Sequence, residues 1–104
     1  MSKYKAKKTV VDGIVFDSLK EASYYRDLKL LEKAGEIYAL ELQPIFQIVV
    51  NGKKICKYYA DFAYMENGER KVVDVKSAFT RKNPVYRIKK KLVEAIYGTE
   101  ITEV

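Results

Sequence analysis

Two Asn-Gly dipeptides, Asn51-Gly52 and Asn67-Gly68, constrain what this chain can fold into more than any other feature. A type I′ turn needs positive φ at both central residues, which asparagine and glycine tolerate, and its twist matches that of two antiparallel strands. The flanking apolar and aromatic runs predict strands over Ile45–Val50, Lys54–Met65 and Arg70–Lys76, a three-stranded antiparallel meander. Gln43-Pro44 marks its entry, since proline is tolerated at a strand start. Asp12-Gly13 predicts a further tight turn between two short strands in Thr9–Phe16.

Helices are expected on either side. Ser18 as N-cap with Glu21 three residues later forms a capping box, opening a helix that should run to about Ala34 with Gly35 as its left-handed cap. Tyr24, Leu28 and Leu31 share one face of it and Tyr25 borders that face. Glu21 lies one turn before Tyr25, so capping alone does not explain why it stands near the apolar stripe. Ala78–Asn83 reads as a loop, and Pro84 opens a second helix to about Tyr97, capped by Gly98. Val85, Ile88, Leu92 and Ile96 would be its buried stripe, with Val93 beside them. Glu100–Val104 should close as a strand parallel to one of the meander, because a helix precedes it. The expected class is α/β of the α+β type, with residues 9–104 as one domain and residues 1–8 as a basic, flexible tail.

Charge and missing residue types narrow the chemistry. Twenty Lys and Arg against 14 Asp and Glu give a net charge of +6, which favours an anionic partner such as nucleic acid. With no histidine, serine–histidine hydrolysis and histidine-held metals are excluded. The single cysteine, Cys56, allows no intrachain disulfide and no zinc cluster, and reads as an inert thiol in a strand. No stretch is apolar enough to span a membrane, so the expected location is cytoplasmic. Phosphodiester chemistry would have to rest on carboxylates, a lysine or tyrosine, and a hard metal ion.

The strand Lys71–Ser77 carries Asp74 and Lys76 two residues apart, hence on one face and roughly 6–7 Å apart, while Val73 and Val75 take the other. On the preceding strand Tyr58, Ala60, Phe62 and Tyr64 share one face, and Asp61 interrupts the other. Two acids on adjacent strands facing the same way repel each other without a cation between them.

These motifs carry a resemblance. The order hairpin, helix, three strands, helix, strand, with Tyr59-Ala60-Asp61-Phe62 and Val72-Val73-Asp74-Val75-Lys76, resembles the PD-(D/E)XK nuclease superfamily and its αβββαβ, restriction-endonuclease-like core. Together with Phe16-Asp17-Ser18-Leu19-Lys20-Glu21-Ala22 and Leu42-Gln43-Pro44, the wording is similar to a group of small bacteriophage proteins placed there. Ala60 stands where the superfamily pattern has proline. The resemblance implies a Mg²⁺-dependent DNA endonuclease, with Mn²⁺ able to substitute, in a bacterial host's cytoplasm. It implies Asp61, Asp74 and Glu21 as metal ligands, Lys76 as the catalytic lysine, and Gln43 as an outer hydrogen-bonding residue. Arg81, Lys82, Arg87, Lys89, Lys90 and Lys91, with Lys7 and Lys8 of the tail, would contact phosphates. Structure-selective action on branched or junction DNA is expected rather than base reading, and cutting both strands would take a homodimer. The competing expectation is a non-catalytic nucleic-acid-binding or phage–host interaction protein on the same fold.

Overall fold

The computed structural model describes residues 8–104. Lys3, Tyr4, Lys5 and Lys7, and with them most of the expected basic tail, lie outside the described residues; Lys8 is exposed. Strands β1 (Thr9–Val11) and β2 (Ile14–Phe16) precede helix α1 (Leu19–Lys33). Then come β3 (Tyr38–Leu42), β4 (Ile45–Val50), β5 (Lys53–Tyr59), β6 (Phe62–Glu66) and β7 (Glu69–Asp74). The short helix α2 (Ala78–Arg81), helix α3 (Pro84–Tyr97) and strand β8 (Ile101–Glu103) complete the chain. The α+β class is as expected, and both Asn-Gly pairs turn their hairpins with positive φ at each residue.

The strands pair differently from a simple meander. The central sheet has the order β3-β6-β7-β8, with β8 parallel to β7 and the other pairs antiparallel. β4 and β5 form a separate hairpin, as do β1 and β2. The strand expected over Lys54–Met65 is therefore two strands, broken at Ala60-Asp61. The first of the three antiparallel core strands is β3, not Ile45–Val50. β3 escapes a sequence reading because Tyr-Ala-Leu-Glu-Leu has no β-branched residue and alternates poorly. It is also a mostly exposed edge strand with a register shift and a positive φ at Ala39.

The break changes which face each side chain takes. Tyr58 and Ala60 pack with Tyr86, Val93 and Ile101 on the α3 side, whereas Phe62 packs with Ala22, Tyr25 and Leu28 on the α1 side. The expected common face of Tyr58, Ala60, Phe62 and Tyr64 thus does not exist. Within β7, Val72 goes to the α3 side and Val73 to the α1 side, so the sheet is buried on both faces.

Both helices end where the caps predict, but each is turned. In α1 the buried residues are Ala22, Tyr25 and Leu28, while Tyr24 is half-buried and Leu31 exposed. Tyr25 fixes that rotation, since its ring packs on Phe16 and its hydroxyl donates to Asp12 at 3.0 Å. In α3 Tyr86 and Val93 are buried, Leu92 half-buried, and Val85, Ile88 and Ile96 are exposed. Tyr86 stacks on Tyr58 and donates to Glu103 at 2.6 Å, while Glu94 accepts from the β8 backbone at Ile101, so a partly polar edge of the helix faces inward. The segment expected as a loop contains α2, because Ser77 caps it by accepting from the backbone N–H of Thr80 at 3.1 Å.

Candidate functional site

The break at Ala60-Asp61 sets the site. The Asp61 backbone is held from two sides: its carbonyl accepts from Gln43 N–H at 2.9 Å, and its N–H points at Val73 carbonyl at 3.2 Å. Ala60 N–H donates to the carbonyl of buried Pro44 at 3.1 Å. Gln43-Pro44 therefore acts through its backbone. The Gln43 side chain is exposed, φ at Gln43 is +50°, its amide has no hydrogen bond among the described residues, and it does not line the cavity between α1, the end of β7 and α2.

At the ends of β6 and β7 the two aspartates interlock. Asp74 Oδ1 accepts from Asp61 N–H at 2.9 Å, and Asp61 Oδ2 accepts from Val75 N–H at 2.8 Å. Each carboxylate takes a donor from the other strand, which lets two like charges sit side by side. Beyond that exchange they differ. Asp74 is 0 % exposed and its Oδ2 accepts from the Tyr58 hydroxyl. Asp61 is half-buried, and its Oδ1 has no hydrogen bond among the described residues.

Asp61, Glu21, Lys76 and Asp17 line one cavity of about 650 Å³ between α1, the end of β7 and α2. Only half of the expected capping box forms: Glu21 N–H donates to Ser18 Oγ at 3.0 Å, while the Glu21 carboxylate makes no hydrogen bond among the described residues and lines the cavity. Burial first, then Asp61 and Asp17, push Glu21 up to about 7. Burial also raises Asp61, against the lowering effect of the Val75 N–H and Lys76. Asp74 is pushed up to about 6, again by burial against Lys76 and the Asp61 N–H. Lys76 Nζ stands 5.0 Å from the centre of the Tyr86 ring, and its backbone is fixed to Val104 and to Lys20.

These donors fit a hard cation in part. Glu21 and Asp61 bring carboxylate oxygens with open positions, and burial, the main cause of both raised pKa values, penalises their charged forms in a way that a cation would offset. Asp74, sealed behind Tyr58 and Asp61, presents no open oxygen to the cavity. No group of three or more His, Cys, Asp or Glu among the described residues is arranged to hold a metal.

The expected phosphate contacts scatter. Lys82, Arg87 and Lys91 line a small cavity of about 220 Å³ together with Ile88. Lys89 turns the other way, toward β5, and its Nζ donates to Lys57 carbonyl at 3.5 Å. Lys90 pairs with Glu94 at 3.2 Å and is half-buried, so it is not a free phosphate contact; the i,i+4 spacing holds it to its own helix. Arg81 is exposed on α2. Asp17, Tyr58 and Thr80 were not expected at the site. Asp17 is adjacent to the cap, whereas Tyr58 donates to Asp74 from β5, on the far side of a strand break that has no sequence signal. Among the described residues no helix is long and apolar enough to cross a membrane.

No curated protein and no solved structure matches the chain. A family model does match, over residues 1–102, and its description is a protein of unknown function, DUF1064. The chain belongs to the DUF1064 family.

Proposed function

We propose that this chain is a Mg²⁺-dependent DNA endonuclease, with Mn²⁺ able to substitute, acting on branched or junction DNA rather than on a particular base sequence. One observation carries the reading: Glu21 from α1, Asp61 from the β6 entry and Lys76 after β7 meet in a single cavity. Setting the β4–β5 hairpin and the short α2 aside, the order from α1 is helix, three strands, helix, strand, the order implied by the nuclease resemblance.

Glu21 and Asp61 would hold the ion directly. A bound Mg²⁺ would supply charge to polarise the phosphate and lower the barrier to hydrolysis. Lys76, a compact cation held beside the carboxylates by its contact with Tyr86, would bind a phosphate oxygen and offset charge as it develops there. Glu21, raised to about 7 by burial and its acidic neighbours in the metal-free site, would be held ionised by the cation it binds. Asp74 acts through Asp61: it fixes the Asp61 N–H, and its buried charge adds to the field that raises Glu21. It is a positioning residue in this arrangement, where the resemblance implied a ligand. The sealed state of Asp74 is also what would favour the second reading, a binding protein without catalysis.

The test is cleavage of supercoiled, single-stranded and four-way-junction DNA with Mg²⁺, Mn²⁺ or chelator. Metal-dependent cutting, lost in Asp61→Ala and Lys76→Ala while DNA binding persists, is the expected result. Cutting that survives both substitutions would reject these residues, and metal-independent binding without cutting would leave the second reading.

A further inference from the structure

Lys76 does not line the acidic cavity alone. It also lines a second cavity, of about 380 Å³, and the two share Lys76 and Thr80. Their characters are opposite. The first holds Asp17, Glu21 and Asp61; the lining of the second includes Lys57, Lys76 and Lys89 and no carboxylate. Lys57 comes from β5 and Lys89 from α3, and the bond from Lys89 Nζ to the Lys57 carbonyl holds the two elements together there.

Each of the two cavities that share Lys76 is lined by an exposed aromatic ring. Tyr59, at the end of β5, lines the basic cavity and is 54 % exposed. Phe79, on α2, lines the acidic cavity and is 86 % exposed. Phe79 contributes to neither core cluster, so folding gives no reason for a phenylalanine there. The turn that carries it is closed by the Ser77 cap and by backbone bonds from Arg81 to Ser77 and from Lys82 to Phe79. Tyr59 stands at the lysine-lined groove, and Phe79 at the acidic cavity that adjoins it through Lys76 and Thr80. Rings set next to lysines in this way take a base on the ring and its phosphates on the lysines.

We propose that this groove binds an unpaired stretch of DNA, with one base stacked on Tyr59, another on Phe79, and the phosphates between them passing Lys57, Lys89 and Lys76. The inference rests on the endonuclease reading for its direction, since it leads the strand to the Glu21–Asp61 cavity, and it names the substrate as unpaired. Inside a duplex each base already has its faces covered by its neighbours, so a protruding ring finds a partner only where pairing is interrupted. A second copy of this chain is a poorer occupant: it would bring a chain of net charge +6 against three lysines.

The experiment reads binding without chemistry. The full chain is titrated, in chelator, into a single-stranded oligonucleotide carrying 2-aminopurine and into the duplex of the same sequence. Single strands should bind at least about 10-fold tighter than duplex, with a change in 2-aminopurine fluorescence that reports stacking. Phe79→Ala and Tyr59→Ala should each weaken single-strand binding by about 5- to 100-fold, with duplex binding changed less than about twofold. Phe79→Trp and Tyr59→Phe should restore it, which separates loss of a ring from loss of the fold. Lys57→Ala should lower the slope of log affinity against log salt by about 0.7. Equal losses on both DNAs, no loss in either alanine variant, or a change in sedimentation with DNA binding intact would overturn the groove. Cleavage that persists while this stacking fails rejects the groove and keeps the nuclease; stacking without any cleavage does the reverse.

Discussion

Asp61 and Asp74 would be cross-strand partners if the ladder between β6 and β7 ran one pair beyond Phe62 and Val73. They are the same residue type at the same end of the same sheet, and each accepts a backbone N–H from the other's strand. Yet Asp61 opens on a cavity with Glu21 and Lys76, and Asp74 is closed in under Tyr58. The difference comes from the backbone. β7 continues regularly through Val72, Val73 and Asp74, so Asp74 is delivered to the α3 side with Val72. The chain before β6 is broken, so Asp61 is freed from the alternation that would have buried it beside Asp74. A carboxylate with open oxygens can do chemistry; one with both oxygens bonded in a closed site organises its neighbours.

The comparison is broken most forcefully by activity. Asp61→Ala should reduce metal-dependent cleavage by at least about 10³-fold while DNA binding stays within a few-fold. Stability should show the reverse ranking. Asp74→Ala leaves the Tyr58 hydroxyl without its buried acceptor and the Asp61 N–H with the Val73 carbonyl alone, and should cost about 2–4 kcal/mol in urea unfolding. Asp61→Ala removes one bond at a half-open site and should cost about 1 kcal/mol. If Asp61 proves the more costly of the two, the assignment of open and closed roles is inverted.

The pH dependence sharpens the same contrast. An ordinary glutamate titrates near 4.5 in the unfolded chain, whereas folded Glu21 is raised to about 7. The folded state therefore holds that proton more tightly, and its stability falls as pH rises from about 4.5 to 7. Asp74 contributes with the same sign between 3.8 and about 6. Glu21→Gln should flatten the fall between about pH 6 and 7, lessen it between 4.5 and 6, and leave the share that Asp74 contributes between 3.8 and about 6, measured as urea midpoints at several pH values. Added Mg²⁺ at pH 7 should stabilise the wild type and not Glu21→Gln. The smallest effect is expected on α3, where the exposed Ile88 should tolerate serine within about 0.5 kcal/mol.

Local signals in the sequence are legible because local chemistry decides them. Asp12-Gly13, Asn51-Gly52 and Asn67-Gly68 turn as their residue types require, Ser18 and Gly98 cap as expected, and β8 returns parallel after α3. What was not legible depends on tertiary choices. Nothing in Lys-Tyr-Tyr-Ala-Asp-Phe says that the strand ends after Tyr59 and resumes at Phe62 facing the other way. The apolar spacing of Val85, Ile88, Leu92 and Ile96 points to one buried stripe, but the Tyr86 ring, seated on Tyr58 and tied to Glu103, sets the rotation instead. Glu21 could be placed near the apolar stripe from spacing alone, whereas its meeting with Asp61 and Lys76 required the fold. For the same reason Phe79 passed as a loop residue: a four-residue helix capped by Ser77 leaves little periodicity to detect.

The decisive measurement is Mn²⁺ affinity, followed by the paramagnetic signal of free ion, for the wild type and three isosteric variants. With Glu21 and Asp61 as the direct donors, Glu21→Gln and Asp61→Asn each weaken Mn²⁺ binding by at least about 100-fold, and Asp74→Asn by about 10-fold or less. An Asp74→Asn variant that loses the ion as completely as Asp61→Asn would contradict the division between the open and the closed carboxylate.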